Sequence, residues 1–406
     1  ARRLARAHSR RYGSSVRFLR LGPRFAYSWV ASLWGLAYPP GEWRPQLRFQ
    51  RTSVGLDVHA RSVVGCAIDE DTGEVIRHRF GYDPAAVLEW VRSLPQPAAV
   101  TYEAGPTGFA LARLFTAAGI KCVVAAPSKL QRPVGDRVKT DARDAMHLAR
   151  LLRLGEIVAV AVPSIEQETA RDLVRAREDN RGELMAARHR LSKLLLRHGI
   201  IYDGKQAWTG AHDAWLRRQR FNHPGLQAAF DADYEAVQQV RARKDRLDAI
   251  IEQMAATSNY APVVRRLGCL RGISTLTGFG LAVEIGNWER FTGSSIGAFV
   301  GLVPSEHSSG QSRSQGSITK TGNTHARRLL VEAAWHHRKP YRPAAGMQAR
   351  WAAAPSLAAS RGDDGNRRLH QKWQHFTARK KRPTIANVAI ARELAGWCWS
   401  LAVMPD

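Results

Sequence analysis

From residue 52 to about residue 160 the chain alternates short apolar runs with amphipathic stretches. Residues 53–68 read as a pair of strands with a turn near 59–62. Residues 74–80 follow the turn Asp71-Thr72-Gly73 and read as a third strand. Residues 84–94 place Val87, Leu88, Val91 and Leu94 on one face of an amphipathic helix. A buried strand is predicted over 98–103 and a helix over 107–118, closed by Gly119. Another strand covers 121–126 and stops before Pro127; a helix covers 141–154 and is closed by Gly155.

Three strands, helix, strand, helix, strand, helix is the element order of an RNase H-like α/β domain. Beyond residue 160 the strand signals stop. Ser164-Ile165-Glu166-Gln167 is a capping box that opens a helix reaching about His198, with Leu184, Leu191, Leu194 and Leu195 as its apolar stripe. Residues 231–254 read as a second long helix, with Val237, Val240, Leu247, Ile250 and Ile251. Two long helices joined by a polar segment predict an antiparallel coiled-coil hairpin. Residues 262–300 are helical with glycine punctuation. There the stretch from Leu267 to Gly278 resembles a helix-hairpin-helix, whose backbone N–H groups hold a phosphate, and a glycine-rich connector is the equal alternative. A Ser- and Gly-rich loop then leads to a helix over 324–337, and the run Arg379-Lys380-Lys381-Arg382 precedes a final helix over 384–402.

Charge narrows the possible partners. The 406 residues carry 61 Lys and Arg against 35 Asp and Glu, a formal net charge of +26, which points to nucleic acid or an anionic membrane surface. No run of about 18 apolar residues appears, which argues against a spanning helix. Cys66, Cys122, Cys269 and Cys398 are scattered, so neither a zinc site nor a disulfide framework is supported and a reducing cytoplasm is expected. Residues 1–50 hold ten Arg and one acid, with an apolar stretch over 25–38. That layout resembles a signal or transit peptide, yet a poorly ordered basic extension agrees better with the chemistry read downstream. Arg171, Arg175, Arg181 and Arg188 line the first long helix, either as a solvated face or as a nucleic-acid contact. Arg313, Lys320, Arg327 and Arg328 edge the Ser- and Gly-rich loop and suit a phosphate-gripping role.

Against this basic background four acids stand out. Asp57 lies within Ser53-Val54-Gly55-Leu56-Asp57-Val58-His59, and Glu103 ends the apolar run before it. Asp141 and Asp144 sit one turn apart at the start of a helix. Taken singly, Asp141 reads equally as a helix cap and Glu103 as a turn residue. Taken in this order, the four can converge on one point, and converged carboxylates need cations. Two Mg²⁺ ions about 4 Å apart can bind the attacking and leaving oxygens of a phosphoryl displacement. Hard carboxylate oxygens suit Mg²⁺, with Mn²⁺ as a substitute. Asp57 would bridge both ions, and Glu103, Asp144 and Asp141 would complete the site.

Gly55-Leu56-Asp57-Val58-His59, Tyr102-Glu103-Ala104-Gly105-Pro106-Thr107-Gly108 and Lys139-Thr140-Asp141-Ala142-Arg143-Asp144-Ala145 resemble the three blocks of the DEDD insertion-sequence transposases. Ser308-Ser309-Gly310, followed by Gly316-Ser317-Ile318-Thr319-Lys320-Thr321-Gly322-Asn323, resembles that family's second transposase domain. The resemblance covers about residues 52–340. It implies a RuvC-like (RNase H-like) α/β domain over 51–160, a helical coiled-coil linker over 161–260, and a mainly α second transposase domain over 261–340. A basic extension over 1–50 and a basic tail with a C-terminal helix over 341–406 flank them. It further implies Mg²⁺ on Asp57, Glu103, Asp141 and Asp144, and recombination of donor and target DNA guided by a noncoding RNA of the same element. Tetramers with composite sites are implied, acting in the bacterial cytoplasm on the nucleoid, with no membrane partner. The family's serine nucleophile matches Ser309 best, with Ser308 and Ser317 as neighbours. Two other readings remain: a Holliday-junction-type Mg²⁺ endonuclease using water, and an RNA-binding scaffold whose acids are relics.

Overall fold

A computed structural model describes residues 50–130, 140–306, 312 and 314–405. All but the last residue of the basic extension 1–50, together with Ser308, Ser309 and Arg313, lies outside the described residues.

The first region is a mixed α/β sheet. β1 (Thr52–Val58), β2 (Ser62–Asp69) and β3 (Val75–Gly81) form an antiparallel meander. After α1 (Pro84–Ser93) the chain returns as β4 (Ala98–Glu103), parallel to β1. α2 (Ala110–Ala117) leads to β5 (Lys121–Ala125), parallel to β4, and α3 (Asp141–Arg153) follows. The strand order is β3-β2-β1-β4-β5. α2 starts later than the pattern predicts, because Gly108 adopts φ +69° and keeps the preceding residues in a turn.

Strand parity divides the sheet into two faces. Val54, Leu56, Val100 and Tyr102 pack with Val87, Leu88 and Val91 of α1 and Leu111 and Phe115 of α2. The opposite face carries Gly55, Val64 and Cys66 and receives α3 through Ala145. α3 lies so close that a Cβ on Gly55 would stand 2.1 Å from the Ala145 carbonyl oxygen and 2.4 Å from the Ala149 nitrogen. Only glycine in the strand and alanines on the helix permit that approach.

The predicted helical hairpin is present. α4 (Ile165–Arg197) and α6 (Pro224–Thr257) run side by side, and α5 (Gly210–Arg217) closes the far end. At 33 residues α4 is about 50 Å long. Leu184, Leu191, Leu194 and Leu195 are buried against Phe230, Val237 and Leu216. Two details depart from the pattern. Ile250 is exposed, and α6 begins at Pro224, whose fixed φ starts a helix well. Half of the capping box forms: Ser164 accepts from the Gln167 backbone, whereas the Gln167 side chain donates to the Val283 carbonyl.

α7 (Ala261–Leu267), α8 (Thr275–Ile285), α9 (Ser295–Phe299), the short hairpin β6 (Pro304–Glu306) and β7 (Gln315–Ile318), and α10 (Thr324–Ala334) follow. α11 (Ala345–Ala352), α12 (Ser356–Ala378) and α13 (Pro383–Ala402) complete the chain. Residues 341–406, read from the sequence as a basic tail and a C-terminal helix, are built into the preceding region: Leu369, Trp373, Ile390 and Leu394 share one core with Leu270, Leu281 and Leu330. α13 lies where the pattern put the final helix, whereas spaced apolar residues in an Arg-rich stretch had hidden α11 and α12. Among the described residues no helix is long and apolar enough to cross a membrane.

Candidate active site

Along β1, Asp57 shares the α3 face with Gly55 and emerges at the carboxyl end of the central strand. The β1–β4 register ends at Leu56 opposite Tyr102, so Asp57 and Glu103 are the next residues on neighbouring strands. Ligands of open α/β sheets bind beyond this edge. Thr140 caps α3 by accepting from the Arg143 backbone, which puts Asp141 and Asp144 in the first turn, where the helix dipole favours negative charge.

Asp57, His59 and Asp141 offer ligand atoms that all lie within 4.8 Å of one another. His59 Nε2 is 3.2 Å from Asp57 Oδ2 and 3.7 Å from Asp141 Oδ1, and Arg79 approaches Asp141 to 3.8 Å. Burial pushes the Asp57 carboxyl up; His59 opposes this, and the charges of Asp141 and Asp144 add to the rise. Asp144 is thus within electrostatic reach of Asp57, although it lies outside the trio, as does the exposed Glu103. A carboxylate disfavoured by burial and by two neighbouring acids is one that a cation relieves. The residues present therefore fit a divalent ion. His59 was absent from the acids singled out in the sequence. Its spacing two residues after Asp57, just past the end of β1, is the signal that finds it.

The basic residues expected to face nucleic acid mostly have partners within the chain. Arg171 donates to the carbonyls of Val283 and Glu284. Arg175 makes a two-pronged pair with Glu284, which also accepts from Asn323 and His325. Glu178 binds Arg181 and Arg328. Arg327 donates to the carbonyls of Val300 and Thr321, and Arg188 lies over the Trp208 ring. Lys320 stays exposed at φ +55°, beside β7. The run from Arg379 to Arg382 is exposed in the α12–α13 turn, with no carboxylate partner among the described residues.

Glu284 is 1% exposed. Burial alone would push its carboxyl up, but hydrogen bonds from His325, Arg175 and Asn323 outweigh that and hold it down at about 2. A carboxyl depressed from 4.5 stabilises the fold above that pH and loses the contribution as pH falls towards 2. Glu284→Gln is expected to cost about 3 kcal/mol at neutral pH, at about 1.4 kcal/mol per pH unit. Urea unfolding checks this: the gap to wild type must shrink below pH 4.5, and a gap that does not change with pH refutes the charge-based lock.

Ser317 lies on β7, where its carbonyl accepts from Ser305 Oγ. The α7–α8 connection is a tight turn in which Gly272 takes φ +86° and a Cβ would meet the Ala333 carbonyl at 2.5 Å. Ser274 caps α8 by accepting from the Thr277 backbone.

Comparison with known proteins bears on both regions. A family model described as a DEDD transposase of the IS110 type matches residues 54–200, which include all four acids. The model of the transposase IS116/IS110/IS902 family matches residues 264–347. The chain is 39% identical over 302 residues to y4qE of Sinorhizobium fredii, a protein named as a transposase, covering 74% of each. It is 29% identical over 344 residues to the transposase for insertion sequence element IS1533 of Leptospira borgpetersenii, covering 82% of this chain and 99% of that one. The transposase for insertion sequence element IS1111A of Coxiella burnetii is 24% identical over 284 residues, 69% of this chain and 76% of that one.

Proposed function

The chain belongs to the IS110-type DEDD transposases and is a DNA transposase of insertion elements, and from that premise we propose that it cuts and joins DNA strands with a serine nucleophile and a Mg²⁺-loaded acid site, guided by a noncoding RNA. The observation that carries the reading is the meeting of Asp57 and Asp141, with Asp144 in electrostatic reach, at the carboxyl edge of the sheet. The strand order β3-β2-β1-β4-β5 supports the RNase H-like, RuvC-like assignment for 51–160.

Asp57, Glu103, Asp141 and Asp144 would hold the divalent ions, for which Mn²⁺ would substitute. Bound there, the ions supply charge stabilisation at the phosphate oxygens. The chain's own work is to position. Strand ends and a capped helix fix the acids, and the serine is brought to the phosphate by the second domain, 261–340. Ser309 is assigned as nucleophile. Its hydroxyl oxygen bonds to phosphorus as one P–O bond to the DNA breaks; the serine proton passes to solvent and the leaving DNA oxygen takes one up as a hydroxyl, so a phosphodiester is exchanged for a serine–DNA diester. Attack by a hydroxyl of the second strand reverses the exchange and joins new ends. Guide RNA, donor DNA and target DNA meet a strongly basic chain, which supports a nucleic-acid assembly. Lys320 and residues 379–382 are the backbone contacts best supported by exposure. A tetramer with composite sites, acting on the nucleoid in the cytoplasm, completes the proposal.

Ser309→Ala is expected to lower strand joining by at least about 10³-fold and to abolish a DNA–protein adduct, while DNA and RNA binding stay within a few fold. Mass spectrometry of a trapped adduct decides. A DNA remnant on Ser308 or Ser317 moves the assignment. An active preparation without any adduct favours a nuclease that uses water.

A further inference from the structure

We propose that His59 is itself a metal ligand, so that the site is a mixed nitrogen and oxygen one that favours Mn²⁺ over Mg²⁺ more than carboxylates alone would. This rests on the reading of Asp57 and Asp141 as metal-holding acids.

Asp57 and His59 are separated by one residue and therefore share a side of the extended chain. The His59 backbone N–H donates to the Ser62 carbonyl at 2.8 Å, which pins the imidazole's attachment point in the tight β1–β2 turn. From there Nε2 reaches both carboxylates, at 3.2 and 3.7 Å. Around a six-coordinate ion with bonds of about 2.1 Å, neighbouring ligand atoms stand about 3.0 Å apart and opposite ones about 4.2 Å. These two separations lie between those values and the carboxylate–carboxylate one is within 4.8 Å, so side-chain shifts of about 1 Å let a single ion touch all three. Imidazole nitrogen is a poor ligand for Mg²⁺ and an acceptable one for Mn²⁺ and later divalent metals. A nitrogen in the set therefore shifts selectivity without adding negative charge.

The same contact permits a rival role. A His59 that only hydrogen-bonds the two acids would have to leave when metal arrives, in which case it competes with the ion. The two roles predict opposite signs.

The test uses the full chain, with free Mn²⁺ followed by its electron paramagnetic resonance signal and Mg²⁺ by calorimetry. Wild type, His59→Ala, His59→Gln and Asp57→Asn are compared. His59→Ala is expected to weaken Mn²⁺ binding by tenfold or more and Mg²⁺ binding by no more than about threefold. A nitrogen hyperfine coupling to bound Mn²⁺ should be present in wild type and lost in both His59 variants. Equal weakening of both ions, or tighter binding of either, overturns the ligand role. If wild type binds metal and Asp57→Asn does not, the acid site stands whatever His59 does. If wild type binds neither ion, the acid site itself fails.

Discussion

Asp57→Asn is expected to abolish strand cleavage and joining, by at least about 10³-fold, while leaving the protein as stable as wild type or slightly more so. The activity loss follows from the position of Asp57 at the end of the central strand, where it faces Asp141 and lies beside Glu103. The stability effect follows from sign. Burial and the charges of Asp141 and Asp144 push its carboxyl up, so the ionised form is disfavoured in the fold, and a neutral isostere removes that penalty. Two measurements separate the effects. Strand exchange with Mg²⁺ reports activity, and thermal unfolding without metal reports stability. Adding Mg²⁺ should raise the unfolding temperature of wild type and not of the variant. Unimpaired strand exchange by Asp57→Asn would remove the acid site from the mechanism.

The second large effect comes from a residue with no side chain. Gly55→Ala places a methyl 2.1 Å from one backbone atom of α3 and 2.4 Å from another, and neither can rotate away. The helix must retreat, at a cost of about 3 kcal/mol. Because α3 begins with Asp141 and Asp144, the retreat also displaces two of the four acids. A misplacement of about 1 Å can cost about 100-fold in rate. Activity should therefore fall further than the folded fraction does, as read by circular dichroism beside strand exchange. Gly81→Ala is the control, since a Cβ there has open space around it. A Gly55→Ala protein that is folded and fully active would show that α3 can move without consequence.

Much of the first region was legible in the sequence, for a physical reason. A half-buried sheet imposes alternation, and caps and glycines mark where elements stop. β4 falls on 98–103, and α3 starts at Asp141 as the Thr-Asp step predicts. The same local signals place the acids at strand ends and at a helix start. They do not report what lies across the fold. Arg175 and Glu284 are 109 positions apart, and nothing near either announces the pair. A run of arginines on one helix therefore looks like a free basic face when it is in part an internal lock. α5 was missed because its buried positions, His212 and Leu216, are too few to make a period. His59 was missed because attention to carboxylates passed over a nitrogen two residues along.

The buried Glu284 network has a consequence for how such elements exchange parts. Arg171 and Arg175 fall inside the first matched segment, whereas Glu284, Asn323 and His325 fall inside the second. The two segments are therefore not interchangeable one at a time. A hybrid that takes its front half from one relative and its back half from another inherits a keyed joint, and Arg175, Glu284, Asn323 and His325 must travel as a set. Where they are mismatched, a charge is left buried without its partner at the seam, and the hybrid is handicapped before any nucleic acid is met.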